Sequence, residues 1–498
     1  MNTRSFWSLC LAACVPWATA APAAPADYAA ADRIFGEYRL DAHVPGLAYG
    51  IVADGRLVHV GTLGVQDPES NRPVTADTLF RVASMTKAFT ALTILKLRDD
   101  GRLRLDAPAS EYVPQLREWK YPTEDAPPIR VRDLLNHVGG FVTDDPWGDR
   151  QTPLPDAEFT RLLEGGVPFT STPGTRFEYS NLGYALLGRI ITNVSKAPYP
   201  ETIARTLLEP LRMQASGFDA EAAPREKRAM GYRWEDDAWR LEPTLGPGAF
   251  GAMGGLQTSA NDYAKWVAFL LSAWPARDGA DDGPVRRATV RELAHGSNFP
   301  RFRDRPARSG SEPSRQAIAY GMGMIVAVDE VLGLTISHSG GYPGYGSHVL
   351  LLPDRGIGIF AFANRTYAGP ARAVWDAALA LDAAGALGSE RELAIGEPLA
   401  AAYRAAGAMY QAGAVDPGRD QLAMNFLLDR DAAHWAKEFA KLESEVGDCD
   451  TASALTATGA LSGDFTWTCA YGRLDGSLLL APTRPERIQE LQLSVIKP

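Results

Sequence analysis

Ser84-Met85-Thr86-Lys87 is the stretch on which the reading of this chain turns. It opens a helical pattern over residues 84–98, in which Phe89, Leu92, Ile94, Leu95 and Leu97 form a broad apolar face and Gly101 ends the run. On a helix, positions i and i+3 share a face, so the Ser84 hydroxyl and the Lys87 amine become neighbours. A helix start also offers free backbone N–H groups and the positive end of the dipole. A hydroxyl attacks poorly until a base takes its proton, and a lysine held in a dry site can serve as that base. Alone the pattern is weak. Ser494-Val495-Ile496-Lys497 has the same spacing in a predicted strand, where the two side chains would face opposite sides.

Two further stretches accompany it. Tyr179-Ser180-Asn181 follows the turn Pro173-Gly174-Thr175 and precedes a helical pattern at 182–194. By itself it reads as a tyrosine packed in the core followed by an Asn helix cap. His338-Ser339-Gly340-Gly341 ends a strand-like run, and alone it reads as a histidine before a glycine turn. The three stretches stand about 90 and 160 residues apart, and their joint occurrence in this order is what carries weight.

Outward from these, Leu47–Val52 and Leu57–Val60 flank Asp54-Gly55, a hairpin signal. Another helix pattern covers 260–271, and strand-like runs cluster at 325–328, 334–337, 349–352 and 357–363. A hairpin first, helices in the middle and a meander last predict an antiparallel sheet whose first and last strands meet, beside a helical lobe. Glycines near 385–396 mark a boundary. Beyond it a small α+β unit is predicted, with Trp435, Phe439 and Leu442 on one helix face and Phe465, Trp467, Cys469 and Tyr471 alternating along a strand. The organisation expected is a signal peptide over 1–20, a catalytic domain over 21–385 and an accessory domain over 396–498.

Arg4, the apolar stretch Phe6–Val15 and Ala18-Thr19-Ala20 resemble an export signal of bacterial type, placing the mature protein in the periplasm or outside the cell. Leu11-Ala12-Ala13-Cys14 also fits a lipoprotein box, which would tether the protein through Cys14. No later apolar run is long enough to span a bilayer. With Cys10 and Cys14 in the signal, Cys449 and Cys469 remain, most simply a disulfide in an oxidising compartment, worth on the order of 3 kcal/mol for its loop. Two thiols without a nearby histidine do not complete a metal site, and no metal or other cofactor is predicted. Fifty Lys and Arg against 60 Asp and Glu give a net charge of −10, which argues against nucleic acid as a partner. Gly246-Pro247-Gly248-Ala249-Phe250-Gly251 matches a dinucleotide fingerprint in letters only, since no βαβ pattern surrounds it.

The order S-x-x-K, Y-x-N, [HK]-[ST]-G resembles the penicillin-recognising serine hydrolases over roughly residues 30–380. The tyrosine in the second motif resembles the branch of class C β-lactamases, DD-carboxypeptidases, D-aminopeptidases and β-lactamase-like esterases. Leu134-Leu135-Asn136-His137, Gly183-Tyr184 and Gly254-Gly255-Leu256 also sit where that family has similar words. The resemblance implies an α+β fold of β-lactamase/transpeptidase type and no cofactor. It implies Ser84 as the nucleophile that becomes acylated, and Lys87 and Tyr179 sharing the base and acid roles, the phenol acting as base only if cations lower its pKa from about 10. Asn181 would hold Lys87 and bind a substrate amide, the N–H groups of Ser84 and Gly341 would form the oxyanion hole, and Ser339 and Gly340 would meet the substrate.

His338 departs from the lysine of class C β-lactamases. Its charge is expected to fade near pH 6.5, which weakens a dedicated β-lactamase reading and leaves an ester, a D-residue peptide or a β-lactam as the small-molecule or short-peptide substrate. Arg301, Arg303, Arg305, Arg308 and Arg315 would supply positive charge at a cleft rim, although a solvated loop is the preferred reading of that segment. The alternative to a turning-over hydrolase is a penicillin-binding sensor or binding protein, acylated at Ser84 with little turnover.

Overall fold

A computed structural model describes residues 28–296, 298, 300–305, 314–388, 391 and 393–496. The export segment with Cys10 and Cys14 lies outside these residues, as do Arg308 and Lys497. Asp54 and Gly55 both adopt positive φ, 49° and 72°, the pair of left-handed conformations that a tight hairpin between twisted strands requires. The turn joins β1 (Gly46–Ala53) to β2 (Arg56–Asp67). Seven more strands complete the sheet: β3 (Arg72–Pro73), β4 (Arg301–Arg305), β5 (Ser314–Tyr320), β6 (Ile325–Asp329), β7 (Gly333–Tyr342), β8 (Tyr345–Leu352) and β9 (Ile357–Ala363). Their order is β3-β2-β1-β9-β8-β7-β6-β5-β4. β1 meets β9 antiparallel, with Leu47 opposite Ala363 and Ile51 opposite Ile359, so the first and last long apolar runs close on each other as their pattern predicts.

Period-two alternation gives the sheet two buried faces. Ala48, Val52, Phe360 and Phe362 point into a core shared with the helical lobe. Leu47, Tyr49, Ile51, Ile359 and Ala361 point the other way, toward α1 (Ala29–Asp41) and the later Ala371–Ala383 helix. On the lobe side lie α2 (Thr86–Asp99), α3 (Asn181–Ser195) and α4 (Ala260–Leu271). α2 is buried almost all round: Phe89 stacks on Trp266 of α4 at 3.9 Å between ring centroids. Thr90 satisfies its hydroxyl on the carbonyl of Ala252. This burial, at roughly 1.5–3 kcal/mol per large apolar side chain, clamps the start of α2 against the sheet.

The segment around Arg301–Arg315 corrects the loop reading. It contains β4 and β5, paired with Arg301 opposite Ile318 and Arg303 opposite Gln316. No apolar stripe marks β4 in the sequence, because Arg301, Arg303 and Arg305 share one face and the other carries Asp304 and an exposed Phe302.

After Gly396 come α5 (Glu397–Ala412), α6 (Ala432–Val446) and a second antiparallel sheet. Tyr403, Tyr410, Phe439, Phe465 and Trp467 form its own apolar cluster. Cys449 and Cys469 are joined by a disulfide between paired strands. Tyr471 does not continue the alternation: the strand ends at Cys469, and Tyr471 sits in the following turn, 80% exposed. No helix among the described residues is long and apolar enough to cross a membrane.

Candidate active site

Ser84 lies in a short 3-10 turn, Ala83–Met85, that leads directly into α2. Ala83 takes φ of +50°, a conformation that a residue with a Cβ rarely adopts, and local strain of this kind concentrates where a side chain must be presented at a fixed angle. Strand β7 presses on this turn. A Cβ on Gly340 would lie 2.4 Å from the carbonyl oxygen of Val82 and 2.2 Å from Ser347 Oγ. The expectation that Gly340 would meet the substrate is therefore corrected: the glycine lets β7 touch the nucleophile's own turn. Gly341, one residue on, faces the cavity.

Lys87 is wholly buried and its Nζ reaches three acceptors: Ser84 Oγ at 3.0 Å, Asn181 Oδ1 at 2.7 Å and the Met253 carbonyl at 2.9 Å. Burial lowers its pKa to about 8, with Asp145, Asp149 and Asp144 pulling the other way. A neutral amine has two N–H bonds and one lone pair. Asn181 and Met253 take the two N–H bonds, which leaves the lone pair for the Ser84 proton.

α3 begins at Asn181, with Ser180 Oγ accepting the Gly183 N–H as its cap. Asp144 accepts the backbone N–H groups of Asn181 and Leu182 at 2.6 and 2.9 Å. Asn181 is fully buried and its Nδ2 donates to Asp145 Oδ1 at 2.9 Å. Both ends of its amide are thus engaged, and here it holds Lys87 rather than presenting itself to a substrate.

Tyr179 lines the cavity with the Lys87 ammonium 4.8 Å from its ring centroid. The Ser84 hydroxyl hydrogen-bonds its phenol, but burial and the Asp145 charge hold the phenol well above pH 10. Lys87 does not depress it, so the expectation of a phenolate base is corrected: Tyr179 stays protonated and cannot take up the serine proton. His137 supports it, its ring 4.3 Å away and its Nδ1 accepting the Ser180 N–H.

His338 is also buried. Nδ1 lies 2.6 Å from the Ser339 carbonyl, which can only accept, so the ring proton sits on Nδ1. Nε2 then accepts from the Tyr320 hydroxyl at 3.0 Å. Burial, followed by the Lys87 charge, pushes its pKa down to about 3. The expected imidazolium is corrected: His338 is neutral wherever the protein is folded near neutrality. The kcat/KM ratio of an anionic ester to a neutral one should accordingly follow the same course from pH 5 to 8 in the wild type and in His338→Gln, since the titrating groups beside the cavity, Lys87 at about 8 and Asp149 at about 7, are common to both. A fall in that ratio near pH 6.5 that the variant lacks would restore the cationic role.

Ser339 exposes its hydroxyl to the cavity, and its Oγ lies 2.8 Å from Nδ1 of His348. Arg301 reaches the cavity from β4, its guanidinium 5.0 Å from the Phe177 centroid. Arg303 bonds Gln316 and Arg315 pairs with Asp304. The cavity has a volume of about 530 Å³ and is lined by Ser84, Tyr179, His338, Ser339 and Gly341 among others. Sequence reasoning missed Asp145, Asp149, Tyr320, Tyr367 and His348. Asp144-Asp145-Pro146 was visible as an acidic pair before a helix-starting proline, but nothing local distinguishes it from a solvated turn. Among the described residues, no group of three or more His, Cys, Asp or Glu side chains is placed to hold a metal ion.

Residues 31–384 match the family described as Beta-lactamase. Protein flp of Staphylococcus aureus is 30% identical over 344 residues, 67% of this chain and 62% of the relative. An uncharacterized protein of Mycobacterium tuberculosis is 31% identical over 251 residues, 46% of this chain and 61% of the relative. The chain thus spans about three fifths of the length of the curated relatives it matches. Among solved structures, the octameric penicillin-binding protein homologue from Pyrococcus abyssi superposes with a TM-score of 0.59 at 22% identity, covering 94% of this chain and all of that one. A class C β-lactamase gives 0.56 at 20% identity, covering 71% and 96%. At such identities the likeness is one of fold.

Proposed function

This chain belongs to the β-lactamase family, and from that premise we propose that it is an exported serine hydrolase forming an acyl-enzyme through Ser84 on a small amide or ester. The observation that carries the proposal is the buried Lys87 amine 3.0 Å from Ser84 Oγ, with its pKa drawn down toward neutrality. In the first step Ser84 Oγ forms a bond to the substrate carbonyl carbon and Lys87 takes the hydroxyl proton. The oxyanion is received by the backbone N–H groups of Ser84 and Gly341, each such donor being worth roughly 3–4 kcal/mol. As the tetrahedral centre collapses, Tyr179 gives its proton to the leaving nitrogen or oxygen and is reprotonated by the Lys87 ammonium. Water then attacks the acyl-ester, losing its proton to Lys87. Ser84 regains a proton and the acid departs.

Asn181 acts as a positioning residue for Lys87, while Ser339 offers its hydroxyl to the part of the substrate beyond the scissile bond. Residues 21–385 are proposed as the catalytic domain and 396–498 as an accessory domain with a covering role. The Cys449–Cys469 disulfide supports an oxidising compartment and hence export of the chain.

The proposal is tested by giving purified protein a short-chain p-nitrophenyl ester, a D-alanyl dipeptide and a chromogenic cephalosporin side by side. Turnover of at least one is expected, with the ester the most permissive. Covalent labelling by a fluorescent penicillin without turnover of any member would favour the sensor instead.

A further inference from the structure

The second sheet ends on an open edge. Its last strand, Ile488–Ile496, pairs with Gly472–Leu480 on one side only. On the other side a further strand position begins and stops at once. Leu422 bridges Ile488 in parallel, the Ala423 N–H donates to the Ile488 carbonyl at 2.9 Å, and Asn425 Nδ2 donates to the Gln489 carbonyl at 3.0 Å. The chain then turns away into the short helix Phe426–Asp429. From residue 490 to 496 no strand pairs with this edge among the described residues, which leaves alternate backbone N–H and C=O groups without a ladder partner. Open edges are ordinarily blunted by lysine, proline or a bulge. This stretch has none of the three, and its one charge is Glu490.

A cleft of about 540 Å³ runs along the edge. Residues 489–493 line it in unbroken succession. Side chains of a strand alternate between faces, so a cavity that touches all of them follows the edge and not one face. The rest of its lining comes from the Phe426–Asp429 helix and the start of α6. Two observations there point to a ligand. Trp435 is 5% exposed and lines the cleft, and its Nε1 has no hydrogen-bond partner. Buried indole N–H groups ordinarily find an acceptor, as Trp119 does on the Leu163 carbonyl and Trp467 on the Tyr403 hydroxyl. The second observation is charge. Asp429, Glu438 and Glu490 line the cleft against Arg430 alone, and none of these carboxylates has an ion-pair partner among the described residues.

A sugar fits poorly, because no aromatic face is open for it to stack on. Phe426 lies parallel to the Trp435 ring at 4.9 Å, the Arg430 guanidinium stands 5.5 Å from the same ring, and both aromatic side chains are buried. An extended peptide meets every unmet demand. Its backbone supplies partners for the edge, one of its carbonyls can accept the indole N–H, and basic side chains answer the carboxylates. We infer that this cleft is a peptide-binding site, which takes an extended segment with basic side chains as an added strand beside residues 490–496. The inference is independent of the chemistry assigned to Ser84.

The test titrates the full chain into fluorescein-labelled Thr-Lys-Val-Lys-Thr and Thr-Glu-Val-Glu-Thr and follows anisotropy. Two forms of the lysine peptide, N-methylated at alternate amides in opposite phase, are measured alongside. The lysine peptide should bind about tenfold or more tightly than the glutamate peptide. The two methylated forms should differ from each other by about tenfold, since only one phase removes the N–H groups that face the strand. Trp435→Phe keeps the stacked ring and removes the N–H, and it should weaken the lysine peptide about fivefold. Glu438→Gln combined with Glu490→Gln should bring the lysine-to-glutamate preference toward one. That pair preserves side-chain shape and keeps the test available should Trp435→Phe lower the melting temperature. No saturable binding at millimolar lysine peptide would overturn the inference. Equal affinity for the two methylated forms would do the same, as would binding unaltered in both variants. Tighter binding of an N-acetylglucosamine trisaccharide would assign the cleft to a sugar instead. A dimer in sedimentation that excludes the lysine peptide would give the edge to a second copy of the chain, and would equally end the peptide reading.

Discussion

Ser84→Ala should lower kcat/KM for p-nitrophenyl acetate by about 10³-fold or more, the scale of loss seen when a nucleophile is removed from a concerted catalytic set. The substitution deletes one oxygen at a site 7% exposed, and it leaves no cavity large enough to collapse the turn. Lys87 keeps Asn181 and the Met253 carbonyl, so its amine stays in place. The melting temperature should therefore move little while activity disappears. Mass spectrometry should find an acyl or penicilloyl adduct on the wild-type peptide containing Ser84 and none on the variant. Activity within tenfold of wild type would withdraw Ser84 as nucleophile.

Lys87→Met should cost a comparable factor for a different reason. Methionine fills much of the lysine's volume but cannot accept the Ser84 proton, and Tyr179, held protonated, cannot replace it. The wild-type profile supplies the companion measurement. Because the working base is the neutral amine and its folded pKa is lowered to about 8, kcat/KM for a neutral ester should rise with pH, close to tenfold per unit below 8, and level off above. A rising limb centred near 6.5 would point to an imidazole instead. The variant should lose that limb along with the activity. Its stability reflects opposing effects: a desolvated charge is removed, while Asn181 Oδ1 and the Met253 carbonyl are left without a donor at about 1–3 kcal/mol each. Circular dichroism and thermal melting then separate lost chemistry from lost structure.

Burial lowers the pKa of Lys87 and the nearby carboxylates of Asp145, Asp149 and Asp144 raise it, and the balance leaves the amine titrating just above neutrality.

Much of this molecule follows from local pattern. The apolar periodicity of residues 260–271 and the Asp54-Gly55 hairpin state which side of an element is buried, and the unbroken apolar run Ile357–Ala363 states that both faces are, whereas the single apolar face of residues 84–98 understates a helix that is buried almost all round. The buried side of each element determines which layers can pack together. The i, i+3 spacing likewise determines that Ser84 and Lys87 are neighbours once that segment is a helix. The family likeness follows from three short stretches in order. Tertiary structure alone decided the charge states. His338 is neutral because Tyr320 and its own strand wall it from water, and Tyr179 keeps its proton because it is buried and, secondarily, because Asp145 approaches from another segment. Gly340 is needed because the Val82–Ala83 turn lies against it. β4 and β5 were invisible because β4 sets arginines on one face and Phe302 with Asp304 on the other, so no apolar stripe announces the pair. Spacing along a chain reports the faces of one element, whereas a proton's affinity depends on every group that packing brings near it from elsewhere.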